Sequence, residues 1–138
     1  MNANAKLIEA VKDGDLAKAE DALKRGAQVN KIYNVGEERV YGRVRNIYKT
    51  PLMVAASNGD IAMMQKLREY GADVHKQGFY TETAIGHAMK AGQVEAVKVL
   101  HEMGAKPSYM EIIDTKVLRD IGQKSGEILD LVGETIRN

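Results

Sequence analysis

His75, His87 and His101 are the residues best suited to acid–base or metal chemistry, because imidazole serves in both roles near neutral pH. They lie 12 and 14 residues apart, without the spacing of metal ligands. The 138-residue chain has no Cys, which excludes disulfides, Cys-containing zinc sites and thiol catalysis. His87 reads as a surface or packing residue of a helix, and His101 fills a slot in an apolar helical stripe. Ser57, Ser108 and Ser125 are the only serines, and the last two stand where helices begin. No glycine-rich phosphate loop is present, and Gly122, Gly126 and Gly133 punctuate helical segments. Met53, Met63, Met64, Met89, Met103 and Met110 fall mostly at helical positions and read as core filler. The expectation is no catalytic residue, no metal site, no cofactor and no enzymatic activity.

The chemistry that does stand out is that of recognition, in residues 30–49. Lys31, Arg39, Arg43, Arg45 and Lys49 face only Glu37 and Glu38 there, so this one segment holds a surplus of three positive charges in a chain of net charge +1. Three of the six tyrosines, Tyr33, Tyr41 and Tyr48, lie in the same stretch. Phe79 and Tyr80 follow further along. Tyr and Arg are enriched at protein interfaces, where they combine large contact area with polar tips. The β-branched and tyrosine content favours strands. Val35 to Glu38, around Gly36, reads as the turn of a ribbon. From Arg39 onward, alternation puts Arg39, Tyr41, Arg43, Arg45 and Ile47 on one side and Val40, Gly42, Val44, Asn46 and Tyr48 on the other. The plainer alternative is that the tyrosines only cover the ribbon and the neighbouring helices.

Such a ribbon is weakly stable alone, so the flanking elements must hold it. Those elements repeat. An alanine, a glycine four residues later and a Gly-Ala pair twelve further on occur as Ala10, Gly14, Gly26-Ala27; as Ala55, Gly59, Gly71-Ala72; and as Ala88, Gly92, Gly104-Ala105. Leu7, Ala10 and Val11, then Leu16, Ala19, Ala22 and Leu23, give the first copy two apolar helical stripes. Leu52, Ala55 and Ala56, then Ile61, Met64 and Leu67, give the second; Ile85, Ala88 and Met89, then Val94, Val97 and Leu100, give the third. The glycines suit the left-handed ends of short helices. Helices of two to three turns are marginal alone and must be covered by neighbours, which predicts a stack. The second copy begins 45 residues after the first and the third 33 after the second, so twelve extra residues fall in the Tyr/Arg segment.

Thr50-Pro51-Leu52-Met53-Val54-Ala55-Ala56-Ser57-Asn58-Gly59-Asp60 resembles the T-P-L-H-x-A-A-x-x-G motif of the ankyrin repeat. Leu67-Arg68-Glu69-Tyr70-Gly71-Ala72-Asp73-Val74 is similar to that family's L-L-x-x-G-A-D-V. Thr83 to Ala88 is a weaker match, and Ala10 to Val29 matches without the opening motif; together they span about residues 6–107. The motif histidine is replaced by Met53 and Gly86, which puts the ties between loops in question. The resemblance implies an all-α solenoid of three repeats, about 5–29, 50–82 and 83–107, with a β-hairpin finger enlarged over 30–49. It also implies partner binding along a concave face of finger tips and first helices. The matching positions are Tyr33, Arg39, Tyr41, Arg43, Arg45 and Tyr48 in the finger, then Ser57, Asn58, Lys76, Gln77, Phe79, Tyr80, His87, Lys90 and Ala91.

Residues 108–138 read as a degenerate helical cap. Pro107-Ser108-Tyr109-Met110-Glu111 carries an S-x-x-E capping box, and six acids against four cations make a polar outer face. One domain over 1–138 is expected, with 44% apolar residues sufficient for a core. No apolar run is long enough to span a bilayer, and the N-terminus lacks a signal-peptide pattern. A cytoplasmic protein-binding module, acting as adaptor, inhibitor or immunity-type partner, is the leading expectation. Nucleic-acid or polyanion binding by the 31–49 ribbon is an alternative, disfavoured by Glu37, Glu38 and a pI of about 7.9. Finger-mediated homo-oligomerisation is another, because a ribbon edge invites a further strand.

Overall fold

The computed structural model describes residues 2–108, 110–112, 130 and 133. Among the described residues the elements run in the order α1 (Ala3–Asp13), α2 (Leu16–Lys24), β1 (Tyr33–Val40), β2 (Arg43–Lys49), α3 (Pro51–Asn58), α4 (Ile61–Glu69), α5 (Ala84–Lys90) and α6 (Val94–Glu102). Every helix start but that of α6 carries a side-chain cap. The side chains of Asn2, Asp15, Thr50, Asp60 and Thr83 accept from the backbone N–H groups of Ala5, Lys18, Met53, Met63 and Gly86, satisfying donors that the first turn leaves open. Pro51 at the first position of α3 fixes φ where no N–H is needed. The turns after the first helices place Gly14, Gly59 and Gly92 at φ of 73, 68 and 71°, a left-handed conformation that disfavours any Cβ.

Helices pair within each unit, α1 with α2, α3 with α4 and α5 with α6. Across units, α1, α3 and α5 touch in sequence as an inner layer, while α2, α4 and α6 form an outer one. Leu7, Val11, Leu52, Met53, Met63, Met64, Leu67, Ile85, Met89, Val97 and Leu100 are fully buried between the layers. Ala10, Ala55 and Ala88 have no exposed surface, as close approach of paired helices requires. The middle unit has neighbours on both sides, so all of Pro51 to Ala56 is buried.

The missing motif histidine is compensated in two ways. Met53 fills the core, and polar ties run between neighbouring loops elsewhere. Asn30 donates to the Gly71 carbonyl (3.0 Å) and accepts from the Asp73 N–H (2.8 Å). Gln93 reaches back to the Ser57 carbonyl at 3.1 Å. At Gly86 a carboxylate takes over: Glu111 accepts from the Thr83 N–H (3.0 Å) and hydroxyl (2.8 Å). A Cβ on Gly86 would overlap that carboxylate. The capping box is present as well, with Ser108 N–H donating to Glu111 and Glu111 N–H to Ser108 Oγ. The cap expected beyond residue 112 lies outside the described residues.

The hairpin corrects the sequence reading of its turn. Val35 to Glu38 belongs to β1, and the reversal occurs at Tyr41-Gly42, with φ of 50 and 75°. Two positive φ values in a two-residue loop match the right-handed twist of paired strands. Gly36 marks instead a register shift between Asn34 and Gly36, where Val35 is the extra residue and Gly36 takes φ 147°. The faces shift accordingly. Arg39 pairs with Val44 and Val40 with Arg43, so Arg39 does not share a side with Arg43 and Arg45.

Gly14 and Gly59 provide a matched pair for testing the inter-unit ties. An added Cβ meets only Asp60 Oδ2 at 3.6 Å at Gly14, but Gln93 Oε1 at 2.5 Å at Gly59. Both alanine substitutions should cost about 1–2 kcal/mol for the left-handed backbone. Gly59→Ala should cost about 1 kcal/mol more, by driving Gln93 from the Ser57 carbonyl. Denaturant unfolding of the two variants measures the difference, and equal losses would show that the Gln93 tie is idle.

Candidate partner-binding surface

Local backbone chemistry sets what the hairpin presents. Tyr41 sits at the first turn position in a left-handed conformation, with its side chain fully in solvent at 101% relative exposure. Arg39 and Arg43 flank it; both are exposed, and neither has an ion-pair partner among the described residues. Arg45 differs, because its Nε bonds Glu38 Oε1 at 2.6 Å directly across the ladder. Tyr33, at the other end of β1, is only 7% exposed, and its hydroxyl donates to the Gln28 carbonyl at 2.8 Å. Burial pushes its phenol pKa up. The Lys31 ammonium lies 5.6 Å from the same ring centroid. Tyr33 therefore anchors the hairpin to the stack and offers no free surface.

The next loop joins the hairpin through aromatic contact. The Tyr48 and Phe79 rings meet edge-on with centroids 5.2 Å apart. Phe79 (62% exposed) and Tyr80 (80% exposed) leave most of their area in water. The loop is shaped by Glu82, whose backbone carbonyl accepts from Gly78 N–H and whose carboxylate accepts from Tyr80 N–H. Thr81 there also adopts positive φ, 63°. Lys76 and Gln77 are exposed at the start of the same loop. Tyr48 of β2 and Phe79 of this loop thus join their apolar area, with the exposed Tyr80 next in sequence.

Below the hairpin the inner layer brings Ser57, Asn58, His87 and Lys90 to one side. Lys49, the last residue of β2, is half-buried, and its Nζ donates to Ser57 Oγ at 3.2 Å. Desolvation lowers its pKa, as does the Lys90 charge, against the opposing carboxylates of Glu38 and Glu82. His87 is largely buried, and its Nε2 has no hydrogen-bond partner among the described residues. Its pKa is pushed down to about 4 by burial first and then by the Lys49 and Lys90 charges. A cleft of about 210 Å³ opens here, lined by Lys12, Val35, Lys49, Val54, Ser57 and Asn58. Sequence reasoning missed Lys12, Lys49, Val35 and Val54 as its walls. Lys49 was visible as a cation directly before the T-P-L motif, but the bulge that turns Val35 inward gives no sequence signal.

Among the described residues, no group of three or more His, Asp and Glu side chains converges as a metal site. No helix among them is long and apolar enough to cross a membrane.

Comparison with known proteins adds the family context. The family model for ankyrin repeats, in three copies, matches residues 7–111. The chain is 33% identical over 57 residues to the ADP-ribosylation factor GTPase-activating protein AGD2 of Arabidopsis thaliana, covering 41% of this chain and 7% of that protein. It is 28% identical over 95 residues to the probable E3 ubiquitin-protein ligase XBOS33 of Oryza sativa subsp. japonica, covering 69% of this chain and 16% of that protein. The chain therefore spans less than a fifth of the length of either relative.

The depressed His87 pKa makes a stability prediction. Its value falls from 6.5 to about 4 on folding, so the unfolded state binds the extra proton between those limits. Stability from this group is complete above pH 6.5 and is lost as pH falls toward 4, by on the order of 3 kcal/mol. His87→Gln should flatten the stability profile across that window while sharing the acid loss below it. An NMR titration placing the His87 midpoint above pH 6 would refute the assignment.

Proposed function

The chain belongs to the ankyrin-repeat family, and we propose that it is a non-catalytic protein-binding module that engages its partner with the hairpin tip and the concave face. Ankyrin repeats generally mediate protein–protein interaction. In this reading the three helix pairs form a solenoid, and the enlarged finger extends the docking platform at one end. The role is that of an adaptor, inhibitor or immunity-type partner. Arg39, Tyr41, Arg43, Arg45 and Tyr48 supply the finger contacts. Ser57, Asn58, Lys76, Gln77, Phe79, Tyr80, His87 and Lys90 continue the surface along the units.

Tyr41 carries the argument. The first position of such a turn favours Asn, Asp or Gly, which tolerate positive φ. A tyrosine there is costly to the backbone and gains nothing from packing, since its ring touches only water. Strain kept without internal compensation points to an external use. The flanking Arg39 and Arg43 add the other residue type that dominates interface hot spots. Tyr33 enters the reading as the root of the finger, because its burial couples the hairpin base to Gln28 and holds the tip at a fixed height.

Tyr41→Asn separates binding from folding. Asn accepts the turn conformation, so the melting temperature should hold or rise, with a gain of up to about 1 kcal/mol. Affinity for a protein captured from the source organism should fall about thirtyfold, as expected when a 2 kcal/mol hot spot is lost. Unchanged affinity for Tyr41→Asn and for the Arg39→Gln/Arg43→Gln variant would remove the finger from the binding surface. Deleting the whole hairpin is a poorer test, because it also takes Tyr33 out of the stack.

A further inference from the structure

The lysines of the outer helices differ in their pairing from those around the inner cleft. On the outer helices every lysine has a carboxylate partner: Lys18 with Glu9, Lys24 with Glu20, Lys66 with Glu20 and Glu69, and Lys98 with Glu95. On the inner face Lys12, Lys49 and Lys90 have none among the described residues, and helices α3 and α5 contain no acidic residue. Lys49 is the most telling of the three. It is half-buried, yet its ammonium has a single hydroxyl acceptor in Ser57. An ammonium has three donors, and a desolvated one left short of acceptors is unfavourable. Lys12 lines the same cleft.

We propose that the cleft between Lys12 and Lys49 is an anchor pocket for a carboxylate side chain on an acidic segment of a partner protein. This rests on the concave face being the docking surface and adds the chemistry of what docks there. The incoming carboxylate accepts from Lys49 and Lys12, with Ser57 Oγ and the Asn58 side chain as further polar neighbours. Val35 and Val54 form apolar walls that fit the methylenes of a glutamate. A space of about 210 Å³ is that of several waters, enough for one side chain and its adjoining backbone. The dimensions favour a discrete acidic residue over a nucleic-acid backbone, which needs a continuous basic track. Glu37 and Glu38 interrupt any such track on the hairpin.

The test uses the full chain and a blocked pentapeptide of alternating glycine and glutamate, alongside its glycine–glutamine isostere. With 15N-labelled protein, the acidic peptide should shift the backbone amides of Lys49, Ser57 and Asn58, and the isostere should not. Lys49→Gln and Lys12→Gln should each weaken peptide binding about three- to tenfold. Lys12 is fully on the surface, so its substitution leaves folding intact even if Lys49→Gln does not. Arg68→Gln, which removes an exposed unpaired cation from α4, should change nothing. Equal binding of the isostere, equal weakening by Arg68→Gln, or tighter binding of a short DNA duplex at the same amides would each overturn the proposal. A captured partner whose affinity depends on Tyr41 but not on Lys12 or Lys49 would also overturn it, while leaving the finger reading in place.

Discussion

Helices of seven to eleven residues do not persist alone in water, and everything in this molecule follows from covering them. Each unit has one inner and one outer helix, and neither can bury its apolar stripe on its pair alone. The stripe is completed by the next unit, so α3 is buried by α1 and α5 while α1 and α6 close the described stack at either side. This makes the junctions between units the sensitive part of the structure. The polar ties collect there: Asn30 to the Gly71–Asp73 loop, Gln93 to Ser57, and Glu111 to Thr83. Their geometry restrains loops that pack few side chains of their own.

The same constraint explains how a two-stranded hairpin survives. Two strands without a covering face are marginally stable. Here the base is held by the stack, through the buried Tyr33 ring and its bond to Gln28, and by Lys49 reaching Ser57. Further out, the Arg45–Glu38 cross-strand pair and the Tyr48–Phe79 contact take over. Beyond them only the turn remains, carrying Tyr41 between Arg39 and Arg43. Order at the base thus allows an exposed tip.

The helical units were legible because glycine and alanine are punctuation with a physical cause. Left-handed turn positions and close helix approach leave few alternatives, and the repeat spacing reports both. The hairpin was legible as a ribbon from its β-branched and aromatic content. Its turn was not, because Gly36 is the more conspicuous glycine, whereas the reversal uses Tyr41-Gly42 in place of the favoured Asn-Gly. That error moved Arg39 to the wrong face and hid the bulge at Val35. Tyr33 looked like its exposed neighbours, since its burial depends on how the ribbon's base packs back on the stack and on the loop carrying Gln28. The cleft was the least legible feature. Its walls come from α1, β1, β2 and α3, and no local pattern announces their meeting.

Charge placement closes the argument about what the two sides of the stack are for. Exposed ion pairs contribute little to stability, typically under about 1 kcal/mol each, so the pairing of the outer lysines does not chiefly serve to hold the fold. Lys12, Lys49, Lys90, Arg39 and Arg43 have no ion-pair partner among the described residues, and His87 stays neutral at pH values where a charged imidazole would add repulsion to Lys49 and Lys90. A surface that brings together unpaired cations, aromatic area and a strained turn is organised around something outside the chain. Folding alone would have been served as well by placing a carboxylate on α3 or α5 and an asparagine at the turn.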